Sequence, residues 1–291
     1  MVLRRAAVRA AYNGRIGNNR LAISGVGMLN QGEALLSGIR QAAFISPHPD
    51  DVELCCGILI RRFLRKGTLV RYVCVTDGAP KADILDTTPR PPRQNYDRDA
   101  YKSVRRAETS SALGILGVPH SEITFLDYPD LETASHVSDL VAEFGNILPT
   151  VDAVFCCPFE GGHPDHDICR FALAIASATT KYSGAVFEYA SYNHLGYQIF
   201  SDPIPPSFTL VATAEERCLQ QRLAGVFISQ EDEPQQFRVD RQLFRAANSV
   251  FSPESFEAYR GTPYYERFAY PGTTVLASIN AYLERFRDGR C

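Results

Sequence analysis

The 291-residue sequence predicts an α/β fold, a three-layer sandwich whose mostly parallel central sheet is covered by helices on both faces. Two observations lead to this prediction. Five apolar runs rich in β-branched or aromatic residues are bounded by turn-forming residues, as buried strands usually are. Segments with apolar residues at helical spacing lie between these runs, and this alternation is typical of parallel sheets.

The elements follow in chain order. We predict strands at residues 41–46, 69–76, 123–127, 151–157 and 185–191. We predict the intervening helices at residues 51–66, 99–116, 137–148 and 164–178. Lys66-Gly67 and Gly117-Val118-Pro119 supply stop signals for the first two helices. The prediction is therefore a Rossmann-like fold, although no GxGxxG dinucleotide-binding sequence follows the first strand.

Two parts of the chain are less regular. Residues 78–99 contain four prolines and no periodic pattern, and a loop of that length in a compact domain is mobile or functional. From about residue 200 to residue 291 the pattern is less legible, with helices predicted at residues 213–227, 241–248 and 273–287. We predict a basic N-terminal extension over residues 1–40 and a single α/β domain over residues 41–291.

Composition restricts the class of function. The chain is 45% hydrophobic and 22% charged with a formal net charge of −3, so we expect neither nucleic acid nor an anionic membrane as a partner. No apolar run is long enough to span a bilayer. Five arginines precede the first acidic residue, Glu33, without the apolar core of a secretory signal. We interpret this segment as a solvated helix or a frayed extension rather than a transit-like or surface-binding leader.

The eight cysteines include two adjacent pairs, Cys55-Cys56 and Cys156-Cys157, and no CxxC spacing. A structural zinc knuckle is therefore not expected. Most cysteines lie in apolar contexts, where the residue behaves as a small hydrophobic side chain. In a chain of this size they indicate a reducing compartment, and we predict a cytoplasmic protein.

Two predicted strands end in groups that can bind a metal. The first runs into His48-Pro49-Asp50-Asp51, and the fourth runs into the loop that ends in His163-Pro164-Asp165-His166. Open α/β sheets bind their ligands at the carboxyl ends of the strands, so these two segments are expected to meet. Three of the six histidines of the chain lie in them.

The residue types suit a hydrolytic zinc site. Catalytic zinc usually takes three protein ligands from His, Asp and Glu and keeps one position open for water. The two segments can supply two histidines and a carboxylate, with a further carboxylate and histidine left for proton transfer. Taken singly, each segment also has a structural interpretation, because Asp51 can cap a helix and Pro164 suits a first helical turn. Their pairing at two strand ends favours catalysis.

The paired segments resemble the PIG-L/LmbE-like family of zinc-dependent N-deacetylases, which act on N-acetylglucosamine-type sugars. The resemblance covers roughly residues 41–195 and includes Thr76-Asp77-Gly78 and Arg105-x-x-Glu108. One departure is that the family often has a glutamate directly after HPDD, whereas here Glu53 comes one residue later.

The resemblance implies a role for each matching position. It implies that zinc, one ion per chain, is held by His48, Asp51 and His166. It implies that Asp50 is the general base, that His163 stabilises the oxyanion and acts as acid, and that Asp165 orients His163. Iron or another divalent ion can replace zinc in such a site.

Substrate contacts are implied less directly. Arg105 matches a position that contacts the sugar or its phosphate, and an ion pair with Glu108 on a solvated helix is the equal alternative. Asp77 lies at the end of the second strand. His194 follows the fifth strand and either lines the pocket or belongs to an aromatic packing surface.

The predicted function is thus hydrolysis of an N-acetyl or similar acyl group from an N-acetylglucosamine-type sugar or glycoconjugate, by attack of a metal-bound water. The predicted partner is a small-molecule substrate, and the sequence leaves the oligomeric state open, a homo-oligomer included. Two alternatives remain at this point. One is a metal-dependent hydrolase of another amide or ester bond, a phosphoester with two metals included. The other is a non-catalytic metal-binding relative.

Overall fold

The computed structural model describes residues 36–81, 97–201, 204–231, 233–247 and 272–287. The strands within these ranges are β1 (Gln41–Ser46), β2 (Leu69–Pro80), β3 (Ile123–Asp130), β4 (Ala153–Cys156), β5 (Ala185–Tyr189), β6 (Tyr192–Asn193), β7 (Gly196–Tyr197), β8 (Phe208–Val211) and β9 (Arg241–Ala246). The helices are α1 (Asp51–Arg65), α2 (Arg98–Leu116), α3 (Val137–Ile147), α4 (Pro164–Thr179), α5 (Ala214–Ala224) and α6 (Gly272–Arg287). The Arg-rich N-terminal segment lies outside the described residues.

The described strands form a seven-stranded sheet in the order β3-β2-β1-β4-β5-β9-β8, and β6 and β7 form a separate hairpin. The first five strands of that order pair in parallel. Strand β9 pairs antiparallel with both β5 and β8. The predicted α/β fold with a mostly parallel sheet is confirmed.

The order of the strands explains where a ligand can bind. From β1 the chain proceeds outward through β2 to β3, and then returns to place β4 on the other side of β1. The loops after β1 and β4 therefore leave the sheet in a crevice, which is the usual binding place in open α/β sheets. Both predicted motif segments follow these two strands.

The core lies between this sheet and its helices. Phe44 of β1 stacks on Phe155 of β4, with ring centroids 4.6 Å apart, and Phe155 stacks on Phe187 of β5 at 5.0 Å. Phe44 and Phe155 are completely buried, as are most apolar residues of β1 and β4. This packing makes the two strands that lead into the crevice a rigid base.

Residues 241–248 were predicted to be helical, and this prediction is wrong because residues 241–246 form β9. Leu243 pairs with Thr209 and Arg245 with Glu188, so backbone hydrogen bonds to two neighbouring strands satisfy the segment. The local sequence carries no strong strand signal, and tertiary pairing outweighs its helix propensity. The predicted loop over residues 78–99 also begins later, because β2 extends to Pro80. Residues 82–96 of that loop lie outside the described part.

Helix α1, which follows the first motif segment, is held from the C-terminal part of the chain. The side-chain amide of Gln220 on α5 donates to the carbonyl oxygens of Glu53 and Leu54, at 3.2 and 2.8 Å. Gly57 makes this approach possible, because a Cβ there would lie 2.7 Å from a methyl of Leu223 and 3.0 Å from Gln220 Oε1. The less legible region thus stabilises the helix that carries Asp51.

The cysteine pairs contribute to the core near the crevice. Cys55, Cys56, Cys156 and Cys157 are all buried, and burial raises the pKa of Cys157 well above its ordinary value. The Sγ atoms of Cys156 and Cys157 lie 3.8 Å apart. The structure thus places these residues as small apolar side chains beneath the site. Across the described residues, no helix is both long and apolar enough to cross a membrane.

Candidate active site

Three side chains from the two motif segments meet in the crevice between β1 and β4. His48 Nδ1 lies 3.1 Å from Asp51 Oδ2 and 3.2 Å from His166 Nε2. Asp51 Oδ2 in turn lies 3.1 Å from His166 Nε2. All three residues are buried. Two ring nitrogens and one carboxylate oxygen therefore form a nearly equilateral triangle.

Local backbone geometry positions His48 and Asp51 of the triangle. The chain turns after β1, where Ser46 Oγ donates to His48 O at 2.6 Å and accepts from Val52 N at 3.2 Å. This turn places His48 before α1 and Asp51 at its first residue. The Asp51 carboxylate folds back and accepts the His48 backbone N–H at 2.9 Å.

The third member comes from the start of α4. His163 is the N-cap residue of this helix and accepts the Asp165 backbone N–H through its ring at 3.3 Å. Pro164 occupies the first helical position, where its missing N–H has no cost. His166 follows in the first turn and is thereby directed towards His48 and Asp51.

The triangle fits a zinc ion. Zinc binds imidazole nitrogen and carboxylate oxygen at about 2.0–2.1 Å, so a tetrahedral site needs ligand atoms about 3.3 Å apart. The observed separations of 3.1, 3.1 and 3.2 Å are close to that spacing. The histidines of both segments also belong to a group of potential metal ligands whose donor atoms lie within 4.8 Å of one another.

Two carboxylates hold the far side of the His48 ring. His48 Nε2 lies 3.2 Å from Asp165 Oδ2 and 3.2 Å from Asp130 Oδ1. Asp165 is itself fixed by the backbone N–H groups of Leu131 and Thr133, at 2.8 and 3.2 Å. A carboxylate on one ring nitrogen sets the tautomer of a histidine and directs the other nitrogen to the metal. The arrangement therefore directs Nδ1 of His48 into the triangle.

The resemblance implied that Asp165 orients His163, and the structure places it closer to His48. Its Oδ2 atom is 3.2 Å from His48 Nε2 but 3.7 Å from His163 Nδ1. The reason lies in the helix cap, since His163 Nδ1 already accepts the backbone N–H of Asp165. Side chain and backbone of Asp165 thus contact different histidines.

Burial and neighbouring charges shift the pKa values of the triangle. Burial lowers the pKa of His48, but the Asp130, Asp165 and Asp51 carboxylates outweigh it and raise that pKa well above its usual range. Burial raises the pKa of Asp51, and the two histidines outweigh it and lower that pKa well below its usual range. Histidine and carboxylate groups of opposite charge therefore lie in contact within the site, and a bound cation would shift their pKa values again.

Asp50 lies beside the triangle and contacts Arg105. Arg105 Nη1 is 3.2 Å from Asp50 Oδ2, and the guanidinium is buried. Gly78 provides the space, because a Cβ at that position would lie 2.8 Å from Arg105 Nε. The alternative of an Arg105–Glu108 pair does not describe this contact, since Glu108 accepts instead from Ser229 N and Oγ at 2.8 and 2.6 Å.

His163 lies against the edge of the same cluster. Its ring meets the His48 ring at a centroid distance of 4.3 Å and an interplanar angle of 84°. Burial and the neighbouring His48 hold the pKa of His163 well below its usual range. Because Nδ1 accepts the backbone N–H of Asp165, the hydrogen of a neutral His163 ring lies on Nε2, and Nε2–H is the available donor.

A hairpin after β5 forms one wall of the crevice. Tyr192 of β6 places its ring 4.9 Å from the His166 ring. Glu160, in the loop before His163, accepts from Asn193 Nδ2 at 3.0 Å and from Ser201 N at 2.8 Å. Gly162 is required where this loop meets the hairpin, because a Cβ there would lie 2.4 Å from the Tyr192 carbonyl oxygen.

The other two predicted substrate contacts are Asp77 and His194. Asp77 is buried at the end of β2, where Arg98 donates to its carboxylate and Lys102 Nζ lies 3.7 Å away. It thereby anchors the start of α2. His194 is exposed at the turn between β6 and β7, two residues beyond Tyr192.

Asp130 is the site residue that the sequence analysis missed. It is the last residue of β3, which pairs with β2 at the same carboxyl edge of the sheet as the two motif segments. A carboxylate at the carboxyl end of a parallel strand is the sequence signal that could have identified Asp130. The strand was predicted to end at residue 127, three positions earlier, so Asp130 was not placed at the edge of the sheet.

We expect Asp165→Asn to weaken metal binding by about 10–100-fold, because the amide no longer offers His48 Nε2 a charged acceptor. A competitive titration of zinc against a chelator of known affinity measures this. Asp139→Asn is the matched control, since it alters a histidine–aspartate pair of 3.4 Å with His136 on the surface. Equal zinc affinity in the wild type and Asp165→Asn would show that Asp165 does not support the ligand.

Comparison with known proteins places both motif segments within one matched region. Residues 43–177, which contain both motif segments, match the family model described as PIG-L: GlcNAc-PI de-N-acetylase. A curated relative is the probable N-acetyl-alpha-D-glucosaminyl L-malate deacetylase 2 of Bacillus anthracis, 26% identical over 144 residues. That match covers 48% of this chain and 60% of the relative, so it spans less than two thirds of the relative's length.

Solved structures share the fold. The N,N'-diacetylchitobiose deacetylase from Pyrococcus horikoshii, complexed with its inhibitor MPG, aligns with a TM-score of 0.55 and 21% identity over 80% of this chain and 96% of that one. A triple mutant of a deacetylase in the teicoplanin biosynthetic pathway aligns with a TM-score of 0.54 and 18% identity, over 72% and 99% of the two chains. The resemblance seen in the two motif segments is thus confirmed: residues 43–177 of this chain match the PIG-L family.

Proposed function

We propose that this chain is a metal-dependent N-deacetylase that removes an acetyl or similar acyl group from an N-acetylglucosamine-type sugar or glycoconjugate. One observation carries the proposal. His48, Asp51 and His166 form a metal-sized triangle directly beside Asp50 and His163, within the region that matches a de-N-acetylase family. The curated relative acts, by its name, on an N-acetylglucosaminyl compound, which supports the substrate class.

In this proposal His48, Asp51 and His166 hold one zinc ion per chain, with iron or another divalent ion as a substitute. When bound, zinc lowers the pKa of a water to about 7 and polarises a carbonyl oxygen. Asp50 accepts the proton of the attacking water, and the contact from Arg105 Nη1 at 3.2 Å holds its carboxylate in place.

In this proposal His163 acts on the side of the scissile amide bond opposite to Asp50. A hydrogen bond from its ring N–H stabilises the oxyanion that forms when the carbonyl is attacked. His163 then takes up the proton that Asp50 removed from the water and delivers it to the departing nitrogen, so that the C–N bond breaks and the free amino sugar and acetate are left. The ring is 20% exposed and lies edge-on against His48, which limits the access of water to this hydrogen bond.

Substrate recognition is assigned to the rim of the crevice. Arg105 is the proposed contact nearest to the reacting atoms, because it already touches Asp50. Asp77 acts through Arg98 and Lys102, which it places at the start of α2. His194 is proposed to contact the more distant part of the substrate from the exposed turn after Tyr192. The buried free cysteines support a reducing, cytoplasmic location.

An acetate-release screen tests the proposal. The full chain is incubated with N-acetylglucosamine conjugates after metal removal, and again after addition of one equivalent of zinc. We expect acetate and free amine only in the zinc-loaded sample. Release from simple esters or unrelated amides instead would identify a hydrolase of another bond. A zinc-loaded chain that cleaves no conjugate would identify a non-catalytic metal-binding relative.

A further inference from the structure

The wall of the crevice on the β5 side borders two corners of the metal triangle. Ser191 and Tyr192 lie just after β5, and Ser191 Oγ is 3.5 Å from Asp51 Oδ1. The centroid of the Tyr192 ring lies 4.9 Å from that of His166 and 6.4 Å from that of His163. The tyrosine ring thus adjoins both a metal ligand and the histidine that is proposed to stabilise the oxyanion.

Buried hydrogen bonds hold this wall in place from two directions. Asn193, the residue after Tyr192, donates through Nδ2 to Glu160 Oε1 at 3.0 Å in the loop before α4. Gln198, just after the hairpin, donates through Nε2 to Leu54 O of α1 at 3.2 Å. The side chains that make these bonds are all buried. The backbone of the hairpin is therefore fixed both to α1 and to the loop that leads into α4.

The crevice is polar and more open on its other side. In the sheet, β2 and β5 lie on opposite sides of the β1–β4 pair, so α2, which follows β2, lies across the crevice from Tyr192. Arg105 of this helix contacts Asp50, and the side chains of Arg98 and Lys102 are 29% and 28% exposed. A large hydrophilic group can therefore enter from the α2 side, whereas an aromatic ring bounds the β5 side.

The two substituents of the scissile carbonyl fit these two sides. One is the nitrogen of the amino sugar, which carries the pyranose ring and whatever is attached to it. The sugar needs the open, polar side, where its hydroxyl groups can bond to charged side chains. The carbon chain of the acyl group is then directed towards the β5 side, where Tyr192 offers an apolar surface beside His163 and His166.

We propose that Tyr192 is the residue that determines acyl-chain length, and that its ring restricts the site to an acetyl group. The inference rests on the proposed function, since it concerns the acyl group that the deacetylase removes. A methyl group needs little space beside the ring, whereas each further methylene has to displace a tyrosine whose backbone is fixed on two sides. A packed apolar pocket discriminates by about 10–200-fold per methylene.

Binding of alkyl hydroxamates tests the inference without turnover. Hydroxamates bind zinc through two oxygen atoms and carry their alkyl group where an amide substrate carries its acyl chain. Acetohydroxamate, butyrohydroxamate and hexanohydroxamate are titrated into the zinc-loaded full chain by calorimetry. We expect the wild type to bind the two longer compounds at least about tenfold more weakly than acetohydroxamate, and we expect this difference to shrink to about threefold or less in Tyr192→Ala, which lacks the ring.

Three further variants exclude indirect causes. Tyr192→Leu keeps an apolar side chain in the wall in case the alanine variant does not fold, and its smaller volume should also relax the selectivity. Tyr192→Phe keeps the ring and should retain the wild-type ratio of affinities. Leu195→Ala is the matched control, since Leu195 is 55% exposed at the turn of the same hairpin and donates to Asn193 only through its backbone. Zinc content and thermal denaturation check that each variant is loaded and folded.

Turnover separates this inference from the deacetylase proposal. With N-acetyl, N-butanoyl and N-hexanoyl forms of a conjugate, wild-type kcat/KM should fall with chain length, and Tyr192→Ala should raise the hexanoyl-to-acetyl ratio at least about tenfold. Equal binding of all three hydroxamates by the wild type, or wild-type selectivity in both Tyr192→Ala and Tyr192→Leu, overturns the inference. Selective binding that Tyr192→Ala loses, in a chain that cleaves no conjugate, would refute the deacetylase and leave the size limit at Tyr192 standing.

Discussion

Replacing Asp50 by alanine is expected to lower kcat by about 10²–10⁴-fold while the protein keeps its metal. The carboxylate lies next to the triangle but is not part of it, and its contact is with Arg105 Nη1 at 3.2 Å. The change should also lower stability, because it removes the Asp50 carboxylate from the buried guanidinium of Arg105. Asp50 makes no side-chain capping hydrogen bond at the N-terminus of α1, so no cap is lost. Steady-state kinetics and metal analysis of the same sample measure both quantities.

Asp152→Ala is a suitable control for this experiment. Asp152 accepts the backbone N–H groups of Arg40 and Gln41, at 2.8 and 3.0 Å, at the amino-terminal edge of the sheet. It lies opposite the crevice, so its removal should leave turnover unchanged. If Asp50→Ala retained wild-type kcat, another group would have to take the proton. If it lost its metal, Asp50 would be a ligand instead of a base.

Replacing His166 by alanine is expected to remove the metal and activity together. His166 Nε2 supplies one corner of the triangle, 3.2 Å from His48 Nδ1 and 3.1 Å from Asp51 Oδ2. Loss of a direct ligand should weaken zinc binding by more than the roughly 10–100-fold that loss of an outer partner costs. Zinc content after dialysis and competitive chelator titration measure the effect.

His136→Ala serves as the control for the His166 change, because it removes a partly exposed histidine that contacts Asp139 on the surface. Its zinc content and kcat should match those of the wild type. Turnover of His166→Ala at stoichiometric zinc, equal to that of the wild type, would show that the metal is held elsewhere. Together with Asp50→Ala, this variant separates loss of the base from loss of the metal.

Many elements of the fold could be predicted because their signals are local. Strand β1 has the bounds predicted for it, and helices α1 and α4 begin at the predicted residues. Apolar alternation, helical spacing and stop residues such as Lys66-Gly67 depend only on neighbours in sequence. The same holds for the first motif segment, since Asp51 and His48 are joined by a hydrogen bond within a single turn.

Other features depend on contacts between distant segments. Strand β9 exists because β5 and β8 lie on either side of it, which its own residues do not reveal. Arg105 was expected to contact substrate or to pair with Glu108 one turn along its helix. The Glu108 carboxylate accepts from Ser229, and the buried guanidinium of Arg105 reaches Asp50, which lies 55 positions earlier. The contact between Arg105 and Asp50 is possible because Gly78 has no side chain at that point. No pattern in the sequence predicts this proximity.

The sequence by itself determined the fold class and the two segments that form the site, because strand and helix periodicity and the residue types of the motifs are properties of short stretches. Only the tertiary structure decided which histidine each of the neighbouring carboxylates contacts. Asp165 is directed to His48 by backbone donors from Leu131 and Thr133, and Asp130 arrives from the end of β3. These partners meet because β3 and the two motif strands end at one edge of a single sheet, and that register is set by packing over the whole domain.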